Sequence, residues 1–392
     1  MGCDALYDAR LAISGKDVAL FDLATWKNGL AFKKIDFSDS GIPVIKIAEL
    51  NNGIGSSTSF TRGVYSSDVK LQRGDFLFSW SGNPETSIDI FRFELEEGWL
   101  NQHIFKTTPN SSLVTGDYFF YLMKWLKPVF KSVASNKQTT GLGHITISDL
   151  KKIKVTVPAK DFQGKVAAIL TAIDNKISLN AKLNGYLEEL ALALYTEYLE
   201  WNDGELPIGW VCRPLSDFFP VKTGKKDANI ATENGLYPFF TCGKQNLFTD
   251  NYSFDGSAIL VAGNGDFSVK WYEGKFEAYQ RTYVLMPNDP VLLGYLYCAV
   301  KRNLSNITSK SRGSVIKFIT KGNIADCEIA VPPIPEMNEI IKHLNQILRV
   351  IDANKRDTAL LKELRDVLLP KLMSGEIDVS KIDLMQLNSH LA

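Results

Sequence analysis

With 392 residues, the chain is too long for one ordinary domain and long enough for two or three with separate cores. Its 45% hydrophobic and 22% charged content describes a globular protein, and no apolar run approaches the roughly 18 residues that cross a bilayer, which excludes a membrane-spanning role and favours the cytoplasm. Basic and acidic residues balance at 44 each, which excludes a simple polybasic nucleic-acid binder, and five cysteines without a CxxC pair exclude a zinc cage or disulfide framework.

The balance hides a pattern. Residues 16–157 carry 17 basic and 14 acidic side chains and 213–326 carry 14 and 10, whereas 158–203 carry 4 and 7 and 336–392 carry 8 and 9. Positive excess sits in two blocks with acid between and after them, which permits nucleic-acid binding without establishing it.

In chain order, residues 1–15 form an N-terminal segment without a signal peptide, where Leu6, Ala9 and Ile13 would line a short helix. Residues 16–157 read as an α/β block rich in short strands. "LFDLATWKNG" begins at Leu20, Pro43 stands in "GIPVIKI", and "RGDFLFSWSGN" at 73–83 is a Gly, an apolar strand and a Gly/Asn turn. Gln102 then precedes Pro109 and Asn110, and "IKVTVP" at 153–158 ends a β-like run at proline. Residues 158–202 predict a long spacer helix, with Ile169, Ile173, Leu183, Leu187, Leu190 and Leu194 at steps of three and four, broken at Lys176 and Asn180.

After the Gly- and Pro-bearing joint "EWNDGELPIGW" at 200–210, residues 203–333 repeat the plan. "LSDFFPVKTG" at Leu215 matches Leu20, Pro238 matches Pro43, and "DGSAILVAGNG" at 255–265 matches 73–83. Gln280, Pro287 and Asn288 match Gln102, Pro109 and Asn110, and "CEIAVP" at 327–332 matches 153–158. Residues 334–392 hold the second spacer helix and a tail, with Leu344, Ile347, Leu348, Ile351, Leu361, Leu364 and Leu368 in its stripe and polar breaks at Asn354 and Thr358. Each helix of about 40 residues should reach roughly 60 Å. Such lengths favour an antiparallel coiled coil between the repeats, with Asn180 facing Thr358 or Asn354 to hold register.

The ordered set "LPIGWVCRPLSDFFPVKTGKK", "GLYPFFTCGKQ", "AILVAGNGD", "ITKGNIADCEIAVPPIPEMNEII" and "LLPKLMSGEI", with "TTGLGHITISDLKKIKVTVP" and "AAILTAIDNKISLN" in the first half, resembles the DNA-specificity (S) subunit of type I restriction-modification systems. The first block departs from it in having "SGKDVALFDL" where the second has Leu-Pro-x-Gly-Trp. The resemblance implies a mixed α/β protein with two duplicated target-recognition domains separated by two long antiparallel coiled-coil helices. It implies no catalysis in this chain. Each domain would read half of an interrupted double-stranded DNA target, and two modification subunits would dock on the helices and methylate adenine with S-adenosylmethionine. Restriction subunits would add ATP- and Mg2+-dependent translocation and cleavage.

The residues agree with a subunit that does not methylate by itself. A base-flipping adenine methyltransferase needs an Asn/Asp-Pro-Pro-aromatic turn; "NPET" at Asn83 and "VPPIP" at Val331 both lack it. "AGNGD" at 262–266 leads into another strand-like run, so it reads as a hairpin turn rather than a phosphate loop. His103, His144, His343 and His390 have no ligand spacing. Two alternatives stay open: a single-chain DNA methyltransferase or endonuclease with an unrecognised site, and a duplicated scaffold that binds protein.

Residues identical in both copies, such as Gln102 with Gln280 and Asn110 with Asn288, cannot alone read two different half-sites, so they point to scaffold or phosphate roles. Base contacts are expected where the copies diverge: "SWSGN" with Trp80 and Asn83 against "VAGNG" with Asn264, and "SNKQTTG" with Lys137, Gln138 and Thr139 against "TSKSRG" with Arg312. Lys33, Lys34, Lys222, Lys225, Lys226, Lys244 and Lys310 are phosphate-contact candidates, and Gln245 is a further DNA-binding candidate. Tyr195 and Tyr198 are expected on an outer helix face that docks partners.

Overall fold

A computed structural model of the chain describes residues 7–9, 13–137, 141–201, 204–265, 267–309 and 317–382. Their contacts gather into two units, 1–178 with 358–392 and 179–357.

In the first unit, β-favouring runs such as "FLFS" pair in an antiparallel sheet of order Ala24–Asn28, Ile104–Pro109, Phe76–Ser79, Asp89–Arg92. Helix Gly116–Trp125, capped where Thr115 accepts from the Tyr118 backbone, buries Tyr118, Phe119 and Leu122 completely. A smaller sheet orders Phe60–Thr61, Ile42–Ile45, Glu97–Leu100 and Lys70–Gln72 around its own core of Val44, Leu71 and Leu100. A third places Lys154–Val157 between Lys16–Ala19 and Asp8–Ala9. The short helix expected over Leu6, Ala9 and Ile13 therefore gives way to a strand at Ala9, because the free edge of Lys154–Val157 supplies backbone partners. Leu6 lies outside the described residues.

The second unit has a six-stranded sheet of order Val221–Thr223, Thr282–Leu285, Phe254–Ala262, Val269–Ala278, Tyr237–Phe240, Leu247–Thr249. Its ten-residue strand Val269–Ala278 performs two tasks that the first unit divides. It pairs antiparallel with Phe254–Ala262, as Asp89–Arg92 does with Phe76–Ser79, and parallel with Tyr237–Phe240, as Glu97–Leu100 does with Ile42–Ile45. Val211–Pro214 pairs with Glu328–Val331 as Lys16–Ala19 pairs with Lys154–Val157. "SGKDVA" thus supplies the strand that follows Leu-Pro-x-Gly-Trp in the second copy.

The duplication extends to single hydrogen bonds. Leu20 N donates to Ile153 O at 2.9 Å and Leu215 N to Cys327 O at 2.9 Å; Asn110 N donates to Leu23 O at 2.7 Å and Asn288 N to Phe218 O at 2.8 Å. Gly29 N donates to Ile104 O and Gly224 N to Thr282 O, at 3.2 and 3.1 Å. A Cβ on Gly29 would lie 2.2 Å from Asn101 O, and one on Gly224 would lie 1.9 Å from Ala278 O. Glycine ends both "KNG" and "KTG" because backbone passes directly over backbone there.

The long helices span Lys160–Tyr198 and Ile334–Met373, 39 and 40 residues, or roughly 60 Å each. Half of each belongs to each unit. In the first unit Arg365 Nη1 meets Asp174 Oδ1 at 3.0 Å. In the second, Asn180 Nδ2 donates to Asp357 Oδ2 at 2.8 Å and Asn354 Nδ2 to Asn184 Oδ1 at 2.9 Å. As one number rises its partner's falls, so the helices are antiparallel. Asn180 is 3% exposed, and Asp357, to which it donates, is the neighbour of the expected Thr358.

The apolar stripe departs from expectation in three places: Leu183, Leu190 and Leu364 are 41%, 48% and 45% exposed. In the second unit the first long helix also packs on helix Leu293–Arg302, which buries Ala191, Tyr195 and Leu199 instead. The Tyr195 ring lies 5.6 Å from that of Tyr295, and Cys298 Sγ donates to Ala191 O at 3.8 Å. Tyr195, expected on the outer face, is therefore buried, whereas Tyr198 is exposed. No helix among the described residues is long and apolar enough to cross a membrane.

Candidate nucleic-acid interface

The divergent turns come together with their neighbouring segments. In the first unit, strand Phe76–Ser79 runs into Trp80, and Ser81–Gly82 pairs with Gly143–His144. Trp80 N donates to His103 O at 3.3 Å, and Ile145 N to Trp80 O at 2.8 Å. The half-buried Trp80 indole donates from Nε1 to Asn28 Oδ1 at 3.0 Å and stacks on Phe105 at 5.6 Å. His103 and His144 flank it, with centroids 5.6 and 6.1 Å away. Ser81 Oγ is 2.9 Å from His144 Nδ1, and Gln102 Nε2 is 3.2 Å from His103 Nε2.

The second unit has the same backbone frame with different occupants. Gly263 N donates to Arg281 O at 2.8 Å, Ile319 N to Gly263 O at 3.0 Å, and Asn264 forms a bridge with Phe318. A Cβ on Gly263 would lie 2.4 Å from Arg281 O, so glycine permits this approach. The result is a cleft of about 440 Å³ lined by Gly263, Asn264, Gln280, Arg281, Tyr283 and Phe318. Arg281 is exposed, and its guanidinium has no hydrogen-bond or ion-pair partner among the described residues. Asn264 falls in this cleft; Arg281, His103 and His144 were not singled out as DNA-binding candidates. The signal available was their place, since His103 and Arg281 each follow the shared glutamine.

The expected lysines spread more widely. Lys33 and Lys34 are exposed at the turn Lys34–Asp36, and Lys222 is exposed on Val221–Thr223. Lys225 and Lys226 follow it; Gln280 N donates to Lys226 O at 2.9 Å, so Lys226 adjoins the cleft. Lys244 and Gln245 are exposed in a loop held by Lys270, whose Nζ donates to the Gly243 and Lys244 carbonyls, both at 2.8 Å, and to Asn246 Oδ1 at 3.0 Å. Asn83 is exposed, and its Oδ1 accepts from Glu85 N at 2.9 Å.

Lys137 is ion-paired with Asp149, which is wholly buried. Burial by itself raises the Asp149 pKa, but hydrogen bonds from Lys137 and Thr146 outweigh it and hold the carboxyl below its ordinary value. This lysine, itself exposed, is committed to an internal carboxylate. Gln138, Thr139, Lys310 and Arg312 lie outside the described residues.

A larger cleft of about 580 Å³ in the first unit is also lined by cations, but they are internally matched. Arg92 meets Asp117 at 2.8 Å and Lys124 meets Asp89 at 2.9 Å. Among the described residues, no group of three or more His, Cys, Asp or Glu side chains is arranged to hold a metal. Each unit also carries an exposed apolar stripe on a long helix: Leu179, Leu183, Tyr186 and Leu190 in the second, and Leu360, Leu364 and Val367 in the first.

A family model described as the type I restriction modification DNA specificity domain matches twice, at residues 15–189 and 207–363. The Escherichia coli type I restriction enzyme EcoDI specificity subunit is 40% identical over 180 residues, which cover 44% of this chain and 40% of that protein. The Methanocaldococcus jannaschii MjaIX specificity subunit is 24% identical over 322 residues, 72% of this chain and 73% of that one. The crystal structure of a type I restriction-modification S subunit from M. genitalium matches the fold with a TM-score of 0.56 at 17% identity, covering 92% of this chain and 96% of the other.

Proposed function

This chain belongs to the type I restriction-modification DNA-specificity family, and from that membership we propose that it is a non-catalytic subunit reading an asymmetric, two-part DNA target. Each unit's domain reads one half-site. The observation that carries this is the pairing of one backbone frame with different occupants: half-buried Trp80 and His144 with exposed His103 in one unit, and buried Gly263 with exposed Arg281 and Phe318 in the other. A shared frame presents each surface to similar duplex geometry, while different side chains select different bases.

Partners are read from the helices. Leu179, Leu183, Tyr186 and Leu190 recur at steps of four, three and four on an exposed face, a spacing that suits helix-in-groove or helix-on-helix docking. We assign this face, with the Leu360–Leu364–Val367 stripe, to two adenine methyltransferase subunits that bind S-adenosylmethionine. ATP and Mg2+ would belong to restriction subunits joining the same assembly. The curated relatives are named specificity subunits, which favours this reading over a single-chain methyltransferase or endonuclease.

The test exchanges residues 16–157 for the corresponding block of another family member and maps methylated adenines after co-expression with the modification subunits. One half of the modified sequence should change. A change in both halves, or in neither, overturns independent reading.

A further inference from the structure

We propose that the residue after the shared glutamine, His103 in one unit and Arg281 in the other, is the base-reading position of each domain. The proposal rests on the DNA-recognition reading above and assigns it to individual side chains.

Three observations converge on this position. The carbonyls of His103 and Arg281 receive equivalent bonds, from Trp80 N and Gly263 N, so the two residues occupy the same place in their frames. Both side chains are exposed, and Arg281 spends its guanidinium on no described residue. Among the described arginines of the second unit, Arg213 pairs with Asp217 at 2.9 Å, Arg302 with Glu200 at 3.0 Å and Arg356 with Asp352; Arg281 and Arg349 have no ion pair, and of those two only Arg281 lies in the shared frame. Finally, the neighbouring position differs in bulk. Trp80 covers Phe105 in the first unit, whereas Gly263 leaves a cleft beside Tyr283, the residue matched to Phe105, and Arg281 stands at its rim.

The chemistry follows from the side chains. A guanidinium offers two parallel N–H donors that match O6 and N7 of guanine in the major groove, so Arg281 selects guanine in the half-site read by the second domain. The imidazole of His103, backed by Gln102 and bounded by the Trp80 ring, offers one ring nitrogen at a time and reads a different base edge. Lys226, on the backbone beside Gln280, contributes charge rather than sequence discrimination.

The experiment expresses the full chain with the adenine methyltransferase subunits of its own genome and maps methylation for wild type, Arg281→Ala, Arg281→Lys and His103→Ala. Arg281→Ala should lower discrimination for guanine at one position of one half-site by roughly five- to 150-fold and leave the other half-site intact. Arg281→Lys should retain part of it, which also guards against a folding defect in the alanine variant. His103→Ala should relax one position in the opposite half. An unchanged motif in the Arg281 variants, or a uniform loss at all sites with the motif preserved, overturns the assignment. If the wild-type chain directs no sequence-specific methylation at all, the underlying reading fails instead, and the two failures are distinct.

Discussion

Asn354 donates its carboxamide to Asn184 at 2.9 Å, tying the two long helices together across 170 residues of sequence. Four residues from Asn184 along the first helix, Asn180 donates to Asp357 at 2.8 Å. A polar pair set in an apolar seam holds one register, because sliding the helices leaves its donors and acceptors without partners. Asn354→Ala should cost about 1 kcal/mol in urea denaturation. Adding Asn184→Ala should cost less than the sum of the two single changes, with a coupling of about 0.5–1 kcal/mol. Strict additivity would show that the pair contributes nothing as a pair.

The matched glycines make a second prediction. Gly29→Ala and Gly224→Ala each drive a Cβ into a carbonyl, so each should destabilise its own unit by about 1–3 kcal/mol. Hydrogen exchange should localise the loss to the amide of residue 29 in the first variant and of residue 224 in the second, which donate to the Ile104 and Thr282 carbonyls.

Acid sensitivity follows from Asp89, which meets Lys124 at 2.9 Å and Lys127 at 2.7 Å. Burial pushes its pKa up, but the two ammonium groups outweigh burial and hold it below its ordinary value. A depressed folded value stabilises fully above the unfolded carboxylate pKa of about 4 and is lost as pH falls through the lower folded one. Asp89→Asn should therefore lose about 1–3 kcal/mol at pH 7, and the gap to wild type should shrink below about pH 4. Denaturation curves between pH 3 and 7 measure this; a gap that widens in acid contradicts the sign.

Lys270 anchors the loop carrying Lys244 and Gln245 through three acceptors. Lys270→Ala should speed amide exchange across residues 243–246 and weaken DNA binding while preserving the first half-site. Lys270→Arg should restore part of the order. Unchanged exchange would mean that the loop holds its shape without the ammonium.

On the helix surface, Leu183→Glu with Tyr186→Glu should leave the melting temperature nearly unchanged, since both residues are exposed, yet abolish co-purification with the modification subunits. Retained assembly would exclude this stripe as the docking face.

Much of the architecture was legible because a duplicated chain carries its own comparison. "KNG" against "KTG", Asn110 against Asn288 and the two Val-Pro ends mark places where backbone geometry leaves little choice, and the paired hydrogen bonds explain why both copies keep them. The helix faces were less legible. Leu183 and Leu190 fit the apolar period as well as any core residue, but periodicity cannot say which of two neighbours a long helix covers. Tyr195 turned inward because helix Leu293–Arg302 lies against it, with the contacting Tyr295 100 residues away in sequence.

The sequence by itself determined the twofold plan, the long spacers and the family, since these depend on local periodicity and ordered repetition. Only the tertiary structure decided that Trp80, His103 and His144 form one surface, that Gly263 opens a cleft beside Arg281, and that Lys137 is committed to Asp149. Those relationships arise when distant strands bring side chains within a few ångströms, and no pattern along a chain encodes which unpaired charge remains facing solvent.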